Sequence, residues 1–233
     1  MIIAHPKVIK NPAAILKAAG LAIASGGGGQ AIVVASSKAY TYRGSGVDSG
    51  GPNDATFSID IGTASADRLV IVAVWVSTAT TVTSVVVNGV TLTADISAVN
   101  TYRVAIYSAL VTTGSGPQNV VVTFGSASFQ EKCAAVWTAT GLASNLVKNT
   151  LQSTTGSGSV GTINVTAGDF LFVGNRTVAG STAWTTSTEA PDGTRNVATN
   201  ATPADWQIDA TNAAFSIVAS SGTNNQMVAA SYS

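Results

Sequence analysis

The sequence is short of most of what catalysis needs. Its 233 residues include one cysteine, Cys133, and one histidine, His5. A single cysteine excludes an internal disulfide and a cysteine-based zinc cluster. Cys133 lies in KCAAVWTAT, where alternate positions are apolar, and reads as a small buried hydrophobe. A Ser-His-Asp triad needs a histidine beside the nucleophile on a rigid scaffold, and His5 stands in the N-terminal stretch instead. No apolar run reaches the roughly 18 residues a membrane-spanning helix needs. No compact Asx-rich loop of the calcium-binding type is present. No metal site and no cofactor are therefore expected.

Charge is scarce as well. Only 9% of residues are charged, against a usual value of about 25%. Ala, Val, Ser, Thr and Gly dominate, and Thr and Val favour strands because branching at Cβ suits a pleated surface. A surface solvated by hydroxyls and backbone is common in extracellular and virion proteins and costs a lone monomer solubility, which points to assembly with partners. Net charge is zero but uneven. Residues 1–47 hold Lys7, Lys10, Lys17, Lys38 and Arg43 and no acid, so all eleven acids face only six bases in the remainder. Lysines so sparse, with no aromatic ring between them, do not make a nucleic-acid tail.

The opening MIIAHPKVIKNPAAILKAAGLAIASGGGGQ has an apolar run and an A-x-A-like end, as a secretory leader would. Lys17 interrupts that run close to the cleavage position. The stretch is therefore expected to be a retained docking arm, with a secreted adhesin bearing a cleaved leader as the alternative. Asn11 can cap a short helix and Pro12 suits its first position. Ile15, Leu16 and Ile23 form its apolar side; Lys7, Lys10 and Lys17 supply charge. The four glycines are followed by Gln30-Ala31-Ile32, without the Lys-Ser/Thr of a phosphate loop. They read as a tether. The expected division is an arm at residues 1–29 and a β-domain at 30–233.

From residue 30 the pattern is strand after strand. QAIVVASS and KAYTYRG are two early candidates, and RGSGVDSGGPND reads as a loop. ATFSIDIG alternates Phe57, Ile59 and Ile61 on one face. RLVIVAVWVS is apolar on both faces and reads as a doubly buried strand. Asn88-Gly89 between β-prone runs is a hairpin signal. YRVAIYSALV places Tyr102, Val104, Ile106 and Leu110 together; NVVVTF does the same for Val120, Val122 and Phe124. GTINVTA, DFLFVGN, AAFSIVASS and QMVAASYS follow. GSGPQNVVVTF and GSGSVGTINVT echo each other through shared turn chemistry, not a true repeat. About a dozen strands and no amphipathic helix after residue 30 predict an all-β, antiparallel, jelly-roll-like β-sandwich.

The stretch 176–212 reads as a long polar loop carrying Trp184, Trp206, Glu189, Asp192, Asp205 and Asp209. Trp184 and Trp206 could stack on a sugar, with Asp205 and Asp209 beside them. A glycosidase would need two of these acids to converge. Trp75 and Trp137, inside apolar strands, read as core.

The order DRLVIVAVWVS, VTSVVVNGVTLTA, RVAIYSALVTTGSGPQNVVVTF, CAAVWTATGL resembles β-sandwich proteins among the structural genes of tailed phages and phage-like gene-transfer particles. The resemblance covers about residues 54–143. It implies a virion component without enzymatic activity: a head decoration, spike, fibre or tail protein. Capsid, portal, collar or tail proteins are the implied partners, with a homo-oligomer expected and no nucleic acid bound. Host surface glycan binding is the alternative, and a glycan-cleaving enzyme the remoter one.

Overall fold

Strands form where β-branched and aromatic residues cluster. The computed structural model describes residues 38–49, 51, 53–126, 131–154, 159–177, 183–186, 189–195, 197–198, 200–220 and 226–233. The arm positions Lys7, Lys10, Ile15, Leu16, Lys17 and Ile23, the helix expected there, and QAIVVASS lie outside these residues. Among the described residues there is no helix, and hence none long and apolar enough to cross a membrane.

Lys38–Ser233 forms one unit, with seventeen strands among its described residues. The first nine are β1 (Ala39–Asp48), β2 (Asp54–Asp60), β3 (Leu69–Val76), β4 (Val82–Val87), β5 (Val90–Thr91), β6 (Thr93–Val99), β7 (Arg103–Leu110), β8 (Pro117–Phe124) and β9 (Lys132–Thr140). They make two sheets, ordered β1-β9-β3-β7-β6 and β2-β8-β4-β5. The pairings are nested: β1 with β9, β2 with β8, β3 with β7, β4 with β5, all antiparallel. An antiparallel ribbon paired in this way and rolled up is a jelly roll.

The last eight repeat the scheme. They are β10 (Asn149–Ser153), β11 (Ser159–Val165), β12 (Phe170–Arg176), β13 (Ala183–Thr186), β14 (Gly193–Thr194), β15 (Ala204–Gln207), β16 (Asn212–Ser220) and β17 (Gln226–Tyr232). β10 pairs with β17, β11 with β16 and β12 with β15. The sheets are β10-β17-β12-β15-β14 and β11-β16-β13. Strand β14 pairs with β15 at the sheet edge, as β6 pairs with β7 in the first roll. The chain is thus an antiparallel β-sandwich protein with two jelly rolls in tandem.

The rolls pack face to face, so the described residues of this unit make four layers and three cores. The first core lies inside the first roll, where Phe57, Ile59, Val85, Val120 and Val122 meet Val70, Val72 and Val74. The second lies between the rolls, where Leu69, Ile71, Ala73 and Trp75 meet Phe170, Phe172, Val228 and Tyr232. The third, inside the second roll, holds Leu171, Val173, Trp206, Phe215 and Ile217. Strand β3 is apolar throughout because alternate residues enter the first and second cores. Burying one such Val or Leu side chain contributes about 1.5–3 kcal/mol. Cys133 is buried in the second core, and that burial pushes its thiol up to about 12.

Local chemistry sets the turns. Asn88 and Gly89 take φ of 49° and 77°, the left-handed pair that closes a two-residue hairpin between β4 and β5. Gly46 allows β1 to lie on β2: a Cβ there would come 2.0 Å from Cδ1 of Phe57.

Two expectations need correction. RGSGVD is not a loop but the second half of β1, which bulges between Tyr42 and Gly44 and keeps pairing with β9 to Asp48. The stretch 176–212 is not one excursion: β13, β14 and β15 lie within it, and Ala204, Asp205 and Trp206 are buried. Strands of two to four residues are too short to show a period. Leu110 lies on the face of Val104 and Ile106 as expected, and is 37% exposed at the end of β7. The two echoing segments become β8 and β11, which hold non-equivalent places in the two rolls. The structural repeat is real, but those segments do not mark it.

Candidate functional site

The seam between the rolls is apolar in its middle and polar at its edges. Arg176 of β12 pairs with Glu131 at 2.7 Å, and the Tyr232 hydroxyl of β17 donates to Asp95 of β6 at 2.7 Å. Burial raises the Asp95 carboxyl, and its hydrogen bonds from Ser108 and Tyr232 oppose that rise. A third polar cluster lies where β1 of the first roll meets β14 and β15 of the second.

The period of two in β1 puts Tyr40 and Tyr42 on one face. Tyr40 packs on Phe170 and Phe172, with ring centroids 5.0 and 5.5 Å away. Tyr42 packs edgewise on Trp137 at 5.6 Å. On β15, Ala204 and Trp206 enter the third core, so the alternating Asp205 side chain points into the seam. It has no exposed surface. Its Oδ2 accepts the Trp137 indole N–H at 2.8 Å, and its Oδ1 lies 2.9 Å from the Tyr40 hydroxyl. Arg195 Nη2 stands 3.7 Å from Oδ2, and the guanidinium lies over the Tyr42 ring at 4.9 Å.

Asp192 completes the cluster from the solvent side. Its Oδ2 lies 3.0 Å from the Tyr40 hydroxyl and accepts the backbone N–H of Gln207. Its own N–H donates to the Asp205 carbonyl at 2.9 Å. Asp209, just past β15, donates its N–H to Glu189 Oε2 at 3.1 Å. Together Tyr40, Tyr42, Asp192, Arg195, Asp205, Gln207 and Asp209 line an open cleft of about 520 Å³. Domain seams are a common place for ligand clefts.

Burial raises the Asp205 carboxyl above the ordinary aspartate range; hydrogen bonds from Trp137 and Tyr40 and the charge of Arg195 oppose the rise, while Asp192 adds to it. Burial also lifts the Tyr40 hydroxyl far above its ordinary value, helped by the charge of Asp205. Glu189 is raised by burial, with the charges of Asp209 and Asp192 adding to the effect. The exposed carboxyls of the cleft are Asp192 and Asp209, and the Arg195 side chain is one-third exposed beside them.

Two of the four residues expected to bind a glycan, Asp205 and Asp209, meet here. The two tryptophans do not. Trp206 is fully buried in the third core and offers a ligand no ring face. Trp184 is half-buried beside it, rings edge to face at 6.3 Å, its N–H spent on the Thr202 carbonyl at 3.0 Å. Sheet alternation explains this, since Trp206 and Asp205 are neighbours on β15 and must face opposite sides. Sequence reading missed Tyr40, Tyr42, Arg195 and Gln207. The alternating tyrosines of KAYTYRG were the available signal.

Asp192 and Asp205 converge as a glycosidase pair would, but both oxygens of Asp205 are occupied within the seam and none is exposed. A carboxyl that cannot touch substrate can neither protonate a leaving group nor attack. Among the described residues, no three His, Cys, Asp or Glu side chains gather as a metal site would require. A second groove of about 470 Å³ lies between β6–β7 and Asn145–Val147, with Leu146 exposed beside it. No protein-family model, curated protein or solved structure matches this chain.

Proposed function

We propose that this protein is a non-enzymatic structural component of a virion, displaying its paired jelly rolls on the particle, and that the seam cleft takes a host surface glycan. The observation that carries the glycan reading is the cleft itself: an open, polar cleft where phenol, carboxylate and amide groups converge. Such groups both donate to and accept from sugar hydroxyls. Its charge narrows the ligand. Asp192 and Asp209 face solvent, and Arg195, lying over Tyr42, is one-third exposed beside them. Two exposed carboxylates against one guanidinium favour neutral or amine-bearing sugars over sialylated, sulfated or uronic acid glycans. The virion reading is supported by the sparse charge and by analogy of fold alone, since jelly rolls recur in capsid and lectin domains.

Asp209→Ala and Gln207→Ala change exposed side chains outside the buried cluster. Each is expected to weaken binding to the glycans retained on an array about tenfold, the loss of about one hydrogen bond to a charged or polar group. An array with no bound glycan, or binding indifferent to both changes, removes the glycan reading. Particle attachment is tested separately. Deleting residues 2–29 is expected to leave the body folded but absent from purified particles, and normal incorporation of the truncated chain would refute the docking arm.

A further inference from the structure

A phenol has one proton to donate. The Tyr40 hydroxyl lies 2.9 Å from Oδ1 of Asp205 and 3.0 Å from Oδ2 of Asp192. It can serve only one of them. With both carboxyls ionised, the other contact would set an anionic oxygen against a phenol lone pair, beside a second anion. A proton on either carboxyl removes the conflict, and burial favours placing it on Asp205, which has no exposed surface, over the exposed Asp192. Neutral Asp205 donates from Oδ1 to the Tyr40 oxygen, and Tyr40 donates to Oδ2 of Asp192. Oδ2 of Asp205 is then the carbonyl oxygen that accepts the Trp137 N–H, and Asp192 remains the anion that accepts the Gln207 N–H. We propose that Asp205 keeps its proton at neutral pH as the start of this chain, and that losing it in alkaline solution releases Asp192, on the solvent side of the cleft, from Tyr40 of β1.

The surroundings agree. From β12 only the rings of Phe170 and Phe172 pack on Tyr40. From β9 comes the neutral indole of Trp137. Lys38, two residues before Tyr40, is turned to the Gly168 carbonyl. Asp192, Glu189 and Asp209 oppose a second anion, and Arg195, at 3.7 Å, is the one described cation within reach. When the proton leaves, two carboxylates compete for one hydroxyl. Asp192 is the exposed partner and yields, so the short β14 edge that follows it loses one tie to the first roll and keeps the contact of Arg195 with Tyr42. The latch joins the two rolls and does not depend on what the cleft binds.

The sign follows from linkage. A carboxyl raised above its unfolded range binds its proton more tightly in the folded chain, so its stabilisation is fullest at low pH and is lost as pH rises through the folded value. The test is the folding equilibrium constant of the full chain from about pH 6 to about pH 9, for wild type, Asp205→Asn and Asp192→Asn. Asparagine mimics the neutral acid, with an amide N–H in place of the carboxyl O–H. The ratio of the Asp205→Asn constant to the wild-type constant is expected to rise about tenfold or more across that range, equivalent to one pH unit of displaced titration. Taking this ratio separates Asp205 from Asp95 and Glu189, which burial also raises. A flat ratio overturns the proposal, because Asp205 is then an anion serving Trp137 and Arg195. Should Asp205→Asn fail to fold, carbon-13 NMR of aspartate-labelled wild type decides. One carboxyl carbon besides that of Asp95 is expected to titrate above the ordinary range, with a midpoint that falls in Asp192→Asn. Ordinary midpoints for every aspartate except Asp95 overturn the proposal.

Discussion

Arg68→Ala is expected to destabilise the fold by about 3–5 kcal/mol, read as a shift of the urea midpoint at unchanged slope. Arg68 is buried just before β3, and no carboxylate pairs with it in the described structure. Its guanidinium serves two loops at once. Nε donates to Val111 O at 2.9 Å, Nη1 to Thr63 O at 2.9 Å and Gly62 O at 3.2 Å, and Nη2 to Thr113 O at 2.6 Å and Gly114 O at 2.9 Å. Truncation would strip the buried Val111 carbonyl of this donor and release the partly buried carbonyls of the two loops, a carbonyl left unsatisfied costing about 1–3 kcal/mol where water cannot reach. Arg68→Lys is expected to recover less than half of the loss, because an ammonium is a point donor and cannot span the fork. A loss below about 1 kcal/mol for Arg68→Ala would show that water replaces the clamp.

Trp137→Ala should have a comparable effect, about 3–5 kcal/mol, and should also damage the cleft. Trp137 fills the second core from β9, contacts Tyr42 and Phe172, and donates to Asp205. Removing the ring takes packing from between the rolls and a donor from a buried carboxyl. Trp137→Phe separates the two contributions. It keeps much of the ring and deletes the N–H, so its cost should be about 1–2 kcal/mol and should vary with pH through Asp205. Thermal unfolding across pH, with glycan binding measured on the same samples, checks both effects. Ligand binding that survives Trp137→Ala unchanged would place the ligand elsewhere.

The strand pattern explains how much of the fold was legible. In a two-layer sandwich every strand has one solvent face, so a strand that is apolar throughout has no place in it. LVIVAVWV is such a strand, and FLFVGNR and QMVAASY are buried at every position too. Those runs already record that the two middle sheets are covered on both sides. Reading each strand alone places it correctly but does not count the layers. β13, β14 and β15 escaped notice for a different reason: their turn-prone neighbours outnumber them, and short strands take their stability from partners distant in the chain.

By itself, the sequence determined the all-β class, most strand positions, the Asn88-Gly89 hairpin and the inward faces of β2, β3, β8 and β9. These follow from period-two burial and positive φ, which are local properties. Only the tertiary structure decided the site. Tyr40 is separated from Asp192 by 152 residues and from Asp205 by 165. What joins them is the packing of one jelly roll on another. Neighbours on β15 then take opposite fates: Trp206 is buried in the third core and Asp205 is turned into the seam. A side chain's alternation along its strand is local, but which side of the sheet carries the ligand cleft is set by the layer packed against it.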